Sequence, residues 1–451
     1  MLIETYLNFK PNHEQQAVLE DLIRFILPED DREIMVLKGA AGTGKTSILK
    51  AITQIIKDKG VNFRLAAPTG RAAKVLYSKT QSNNISTIHS MIYLTEQMDD
   101  GRVKLTLRSE NEDEHCIYII DESSMISDFK PSDSEFVADS PLLTDLIRYV
   151  NKGDSRNKII FVGDHYQLPP FAPMFETSKS FALDSGYLMN KFNKEISENA
   201  LTKVMHQSEG SSVLNLATEI RKNISKGNSM YTAFPERNRG WWEALDMYVR
   251  IFDSKNLNKV LMVCHTNKDV NFWNNKIREK LFGRTDEILN VGDIVQLQRI
   301  NWIEDGVLFN GDTGIVTEVD LNPNYFGGLH FSECEIQFES GNKTRKVKKL
   351  FCWEVLTSDY GTLKKEQRNN LFAAVMKTNP KFRTTKNITN DEYLNAFWLR
   401  HGYASSCHKA QGGEWETVFV NPYLKWMKQD KARWLYTAYT RARKNLFSWM
   451  I

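Results

Sequence analysis

Gly39, Ala40, Ala41, Gly42, Thr43, Gly44, Lys45 and Thr46 follow the pattern glycine, four residues, Gly-Lys-Thr, the pattern of a phosphate-binding loop. Glycines at this spacing let the backbone curl until successive N–H groups face phosphate oxygens. A helix beginning at the end of the loop adds its partial positive charge. Lys45 then reaches the β- and γ-phosphates of a nucleoside triphosphate, and the Thr46 hydroxyl holds Mg²⁺. Farther along, Ile117, Tyr118, Ile119 and Ile120 run into Asp121 and Glu122. An apolar run that ends in two acids is common and usually marks a strand meeting solvent. Behind a phosphate loop it gains a task. Asp121 can hold Mg²⁺ through water, and Glu122 can orient or deprotonate the attacking water. Phosphoryl transfer needs positioning and charge neutralisation, and these groups supply most of both.

Such residues act together only if the elements behind them bring them together. Ile34–Leu37, Phe63–Ala67, Ile117–Ile120 and Ile159–Val162 are short apolar runs without alternation, as strands of a buried parallel sheet should be. Each leads into a polar or glycine-containing loop, and ligands of doubly wound sheets sit beyond the carboxyl ends of the strands. A second strand set begins at Val260–Val263, with Val418–Val420 as a later member. Between them, over about residues 286 to 400, short alternating runs such as Cys334–Phe338 are punctuated by Gly292-Asp293, Asn310-Gly311-Asp312 and Ser340-Gly341-Asn342. That texture predicts a small antiparallel barrel or sheet inserted into a second α/β domain. A shorter insertion, Met91 to Cys116, carries Asp99-Asp100-Gly101 between alternating flanks and predicts a hairpin.

Composition narrows the remaining choices. A chain of 451 residues with 41% hydrophobic and 25% charged residues is ordinary for a multidomain globular protein. The formal charge of +3 places any nucleic-acid site in a local channel and not on a basic tail. The five cysteines (Cys116, Cys264, Cys334, Cys352 and Cys407) are scattered without metal-ligand spacing, which favours a reduced compartment and no zinc. No signal peptide and no membrane span are expected, so the cytoplasm is the expected location, that of a bacterial host if a phage encodes the chain.

Several further stretches stand in a telling order. These are Asn12-His13-Glu14-Gln15, the phosphate loop, Ala66 to Ala73, Thr87-Ile88-His89-Ser90, Asp121-Glu122, and Gly163 to Pro170. After them come Thr266-Asn267 through Asn274 and Arg278, Ser406 to Gly412, and Leu435 to Arg443. The ordered set, spanning residues 12 to 443, resembles the superfamily 1, type B helicases, the group containing RecD and the phage helicase Dda. The resemblance implies an α/β fold of two RecA-like parallel-sheet domains of the P-loop NTPase kind. The first would cover 1–195 with the hairpin at 91–116. The second would cover 196–285 and 402–451, with an SH3-like β-barrel inserted at 286–401. It implies that Gln15 bonds the adenine edge and so favours ATP, although Gln16 could take that register. Gln167 would sense the γ-phosphate, Arg441 would be the arginine finger, and Glu414 would touch the ribose. A single strand would cross both domains, contacted by Pro68, Thr69, His89 and Ser90 from the first and by Thr266, Asn267, Ser406 and His408 from the second.

For each lone Ser, Thr or His, an ordinary cap or turn residue is the competing reading. Trp241, Trp242, Trp302 and Trp353 are either stacking faces or packing residues. The run Lys343 to Lys349 is either a basic face near DNA or a solvated strand. One position departs from the family pattern: His206 stands where a second arginine is usual, and imidazole cannot copy a guanidinium fork. A weaker or pH-dependent turnover is one consequence; substitution by a neighbour such as Arg221 is the other. The resemblance implies a monomeric ATP-dependent motor that moves 5′-to-3′ on single-stranded DNA and opens DNA forks, with the hairpin as wedge and replication or recombination proteins as partners. A protein-displacing translocase, an RNA-directed helicase and a slowly hydrolysing switch share these motifs and stay open.

Overall fold

The computed structural model of the protein describes residues 3–450 apart from 8, 83, 99–101, 131–135, 174, 175, 178, 206–211, 236, 239, 284–286, 305, 341, 342 and 426. The chain divides into two units. Residues 1–95 and 105–217 form the first, and 96–104 with 218–451 form the second.

The first unit is built on strands β1 (Ile34–Gly39), β2 (Phe63–Ala67), β3 (Ile85–Thr87), β6 (Ile117–Ile120), β8 (Lys158–Gly163) and β9 (Ile196–Leu201), in the order β3-β2-β6-β8-β1-β9. Every pairing among them is parallel. The four apolar runs singled out in the sequence thus lie in one sheet, and both faces are covered. Helix Lys45–Asp58 buries Ile48, Leu49, Ile52, Ile55 and Ile56, the stripe that three- and four-residue spacings produce. These side chains share a core with Met35, Leu37, Leu65, Ile119, Ile160 and Val162. Strands β4 (Tyr93–Gln97), β5 (Val103–Leu107) and β7 (Phe136–Ala138) form a small separate sheet. The N–H of Met98 donates to the carbonyl of Arg102 at 2.8 Å across the turn between β4 and β5.

The first compact unit runs past residue 195, where the sequence suggested a boundary. Strand β9 runs beside β1 in register from Ile34↔Ile196 to Gly39↔Leu201, so the first unit continues to Ala217. β9 (ISENAL) is only partly apolar because it is the edge strand of the sheet, with one neighbour and a half-exposed face.

The second unit holds two sheets. One is parallel, with β10 (Arg237–Asn238), β11 (Val260–Cys264), β20 (Ala404–Ser406), β21 (Trp415–Val420) and β22 (Ala442–Trp449) in the order β10-β22-β21-β11-β20. The other contains β12 (Ile294–Leu297), β15 (Thr313–Val319), β16 (Asn324–Phe326), β17 (Leu329–Ser340), β18 (Lys343–Cys352) and β19 (Leu399–His401), paired antiparallel. β13 (Asn301–Ile303) and β14 (Gly306–Leu308) form a ribbon beside it. This region is not wholly β. Helices Lys365–Thr378 and Pro380–Thr385 bury Leu371, Phe372, Val375 and Phe382 against Leu329, Phe331 and Trp398.

Strands β19 and β20 are successive, yet the first belongs to the antiparallel sheet and the second to the parallel one. At this joint Asp293, fully buried, accepts from Arg278 Nε and Nη2, each at 2.9 Å, and from the Tyr403 hydroxyl at 2.7 Å. Arg278 and Asn274, part of the family-like series, are therefore structural. The Asn274 amide oxygen accepts from the N–H of Ala404 at 2.8 Å.

Candidate nucleotide and nucleic-acid sites

Strand β1 delivers the chain into the phosphate loop, and helix Lys45–Asp58 carries it away. Gly42 and Gly44 have φ of +78° and +93°, the left-handed region that glycine alone enters without penalty. A Cβ on Gly39 would lie 2.7 Å from Thr43 Oγ1 and 2.8 Å from Lys45 Cγ. Lys45 Nζ donates to the carbonyls of Gly39 and Ala40 at 2.5 and 3.0 Å, and Thr43 Oγ1 donates to Ala40 at 2.9 Å. Ala41 and Thr46 are half-buried at the mouth of the loop.

Gln15 lies against the phosphate loop. It is fully buried. Its Nε2 donates to the Thr43 carbonyl at 3.2 Å, and its Oε1 accepts from the N–H of Asn12 at 3.2 Å. The side chain completes a capping box with Asn12 and braces the phosphate loop. Gln16, the alternative register, is exposed and bonds Glu20 at 2.9 Å.

Asp121 and Glu122 follow β6, which is separated from β1 only by β8. The loop after β8 carries Gln167, nearly fully buried. The phosphate loop, the acidic pair and Gln167 thus leave the carboxyl edge of one sheet from adjacent strands. Glu122 has φ of +51°, uncommon for any residue with a Cβ and a form of strain that gathers at functional sites. Its N–H donates to Asp121 Oδ1 at 2.9 Å. Burial first, and the Glu122 charge next, raise the Asp121 carboxyl to about 6. Among the described residues no three His, Cys, Asp or Glu cluster as a metal cage. Mg²⁺ is commonly held by one or two protein oxygens plus phosphate oxygens, and Thr46 with Asp121 are hard oxygen donors of that kind.

Three of the four expected strand contacts of the first unit meet in one groove. Pro68, Thr69 and His89 line a cavity of about 550 Å³ with Tyr93, Phe129 and Phe171. Thr69 also caps helix Gly70–Thr80, its hydroxyl accepting from the N–H of Ala72 at 3.2 Å. Burial lowers the His89 imidazole to about 4. Ser90 is exposed, outside the lining, and donates to the Thr87 carbonyl at 3.0 Å.

In the second unit β11 and β20 are neighbours, with Cys264 opposite Ser406, so Thr266, Asn267 and Ser406 sit at adjacent strand ends. Thr266 caps helix Asn267–Phe282 and donates to Asp269 Oδ2 at 2.6 Å. Asn267 is gripped by a residue that sequence reading missed. Arg400, on β19, donates from Nη1 to Asn267 Oδ1 at 2.9 Å and from Nη2 to the Asn267 carbonyl at 3.0 Å. It also reaches Asn271 Oδ1 from Nε at 3.0 Å and the Asp359 carbonyl from Nη2 at 3.1 Å. Nothing local marks this arginine, whose partner lies 133 positions away. His408 lies on the short helix Cys407–Ala410, its pKa lowered by burial and then by His265.

Glu414 accepts from Arg443 Nε at 3.0 Å. Arg441 is buried, not extended. It donates from Nε to the Thr437 carbonyl at 3.1 Å, from Nη1 to the Gly413 carbonyl at 3.1 Å and from Nη2 to Thr440 Oγ1 at 3.2 Å. Trp241 and Trp242 are 38% and 55% exposed, so they are not core residues. His206 lies outside the described residues.

A phosphate loop on a parallel sheet, with an acidic pair two strands away, defines a P-loop nucleoside triphosphatase. Residues 10–231 match the family model of an AAA domain, and residues 401–447 match that of the UvrD-like helicase C-terminal domain. RecBCD enzyme subunit RecD of Buchnera aphidicola is 24% identical over 92% of this chain and 70% of its own. ATP-dependent DNA helicase dda of Enterobacteria phage T4 is 24% identical over 93% and 95%. ATP-dependent RecD2 DNA helicase of Deinococcus radiodurans is 24% identical over 97% of this chain and 48% of its own. In fold, the chain is similar to Bacteroides Pif1 bound to ssDNA (TM-score 0.52, 20% identity, 98% of this chain and 92% of that one). It is likewise similar to Pif1 helicase from Candida albicans (TM-score 0.52, 16% identity, 98% and 95%). Over most of its length the chain is thus similar to helicases of the RecD and Dda kind.

Proposed function

We propose that this protein is an ATP-dependent helicase that moves 5′-to-3′ on single-stranded DNA and unwinds duplex DNA. The observation that carries this reading is the shared sheet edge at which the Lys45 loop, Asp121-Glu122 and Gln167 converge. Loop N–H groups and Lys45 bind and orient the triphosphate. Thr46 and Asp121 are the oxygens to hold Mg²⁺, which when bound neutralises charge on the β- and γ-phosphates. Glu122 aligns the attacking water and takes its proton. Gln167 reports the γ-phosphate, and Arg441 moves from its carbonyl partners to meet charge developing in the transition state. Because those contacts exist only with a triphosphate bound, hydrolysis releases them and changes the grip on DNA.

In this reading the units are two RecA-like domains, and the antiparallel sheet between residues 294 and 401 is an SH3-like accessory domain. The β4–β5 hairpin is the wedge. The protein works as a monomer in the cytoplasm on single strands and forks, with replication or recombination proteins as partners.

Lys45→Ala should abolish ATP hydrolysis and unwinding while strand binding persists; unwinding by the variant would refute the scheme. Strand displacement on forked duplexes with either tail polarity, in DNA and in RNA, tests direction and substrate. Unwinding confined to RNA, or DNA-stimulated hydrolysis that displaces bound protein without opening a duplex, would replace the DNA-helicase reading with one of its rivals.

A further inference from the structure

Phe171 is 83% exposed, the most exposed of the large hydrophobic side chains among the described residues. A phenyl ring left in water forgoes the stabilisation that burial of its apolar area would bring, so a ring held out this far needs a reason. The chain around it is stiff: Pro169 and Pro170 precede it and Pro173 follows, and each proline fixes its own φ. The ring is therefore presented in a restricted set of positions, which lowers the entropy lost when something binds against it.

Its surroundings indicate what that ligand is. Phe171 and Ala172 form one side of the groove that Pro68, Thr69 and His89 also line. Tyr93 is buried, with its hydroxyl donating to Asp145 at 2.8 Å, and its ring lies 5.9 Å from that of His89. Lys130 is the only charged side chain in the lining among the described residues, and no carboxylate is present there. At neutral pH the His89 ring is uncharged and offers one donor and one acceptor. A flat aromatic face, a neutral hydrogen-bonding ring and a lone cation suit a base attached to a phosphate backbone.

We propose that this groove is a base-binding subsite in which Phe171 stacks on one nucleobase of the tracked single strand. The first unit thus grips bases as well as phosphates. This rests on the single-strand reading of the protein and adds to it a residue outside the family-like strand contacts.

The test is binding of the full chain to oligo-dT and to the same oligomer carrying abasic sites, measured by fluorescence anisotropy. Stacking contributes about 1–3 kcal/mol per base, so Phe171→Ala should weaken oligo-dT binding by about 5- to 150-fold, and Phe171→Trp should preserve it. On a fully abasic strand the alanine variant and the unaltered protein should bind equally. The dependence on salt should keep its slope, because no phosphate contact is removed. Unchanged thermal unfolding would confirm that the exposed ring has no structural duty. Oligo-dT binding by Phe171→Ala within twofold of the unaltered protein, or an equal loss on abasic DNA, would overturn the stacking proposal and leave the helicase reading intact. Absence of single-strand binding by the unaltered protein would overturn both.

Discussion

Asp121 faces two demands that oppose each other. To hold Mg²⁺ it must be ionised, yet its burial and the adjacent Glu122 favour the protonated acid and raise its pKa to about 6. A carboxyl whose pKa is higher folded than unfolded favours the folded state fully at low pH, and that contribution disappears as pH rises through the folded value. At pH 7.5 the ionised Asp121 therefore opposes folding of the nucleotide-free protein. Asp121→Asn should raise its unfolding free energy at pH 7.5 by on the order of 1–3 kcal/mol, read as a higher Tm, and the gain should fade as pH falls toward 4. The same variant should lose ATP hydrolysis, because an amide does not replace the carboxylate in holding the metal. At limiting Mg²⁺, hydrolysis by the unaltered protein should decline as pH falls through about 6, because proton and metal compete for the Asp121 carboxylate. At limiting Mg²⁺, a rate that stays flat from pH 7 to 5 would show that Asp121 does not hold the metal.

At the scale of elements, Arg400 joins pieces far apart in the chain. It sits on β19 of the antiparallel sheet and binds the first turn of helix Asn267–Phe282, whose start follows β11 of the parallel sheet. With Oδ1 of Asn267 accepting from Arg400, the amide nitrogen is the part of that side chain left to donate to a phosphate. Arg400→Gln should raise the DNA concentration that half-stimulates hydrolysis by about tenfold while leaving the maximal rate nearly unchanged, since the residue orients a strand contact. It should also lower stability by about 1–3 kcal/mol, because buried acceptors lose their donor. Arg400→Lys should rescue little, as an ammonium cannot span the four acceptors that the guanidinium reaches. A fall in maximal rate with no change in the half-stimulating concentration would disprove the positioning role.

For the whole molecule, the motor reading requires ATP and DNA to affect each other's binding, and such coupling is reciprocal. In the proposed scheme Arg441, which donates to the Thr437 and Gly413 carbonyls, is the residue that carries this coupling. Arg441→Ala should slow DNA-stimulated hydrolysis by about 10³–10⁵. It should also equalise single-strand affinity between the forms loaded with a non-hydrolysable ATP analogue and with ADP. A variant that keeps that affinity difference would exclude Arg441 as the coupling group.

The phosphate loop, the acidic pair and the strands behind them were legible from the chain alone, because their signals are contiguous. Glycines where the backbone turns left-handed and apolar runs that no solvent-facing strand would carry act within a few residues of themselves. So did the tally of family-like segments, which needs order along the chain and nothing else. Gln15 against the loop, Arg441 folded onto the Thr437 and Gly413 carbonyls, β9 at the edge of the first sheet, Arg400 on Asn267 and Phe171 in one groove with His89 were decided by packing. Each depends on which groups, tens to hundreds of positions apart, come within hydrogen-bond or van der Waals distance. No local periodicity encodes that choice, because it follows from how whole sheets and helices settle against one another.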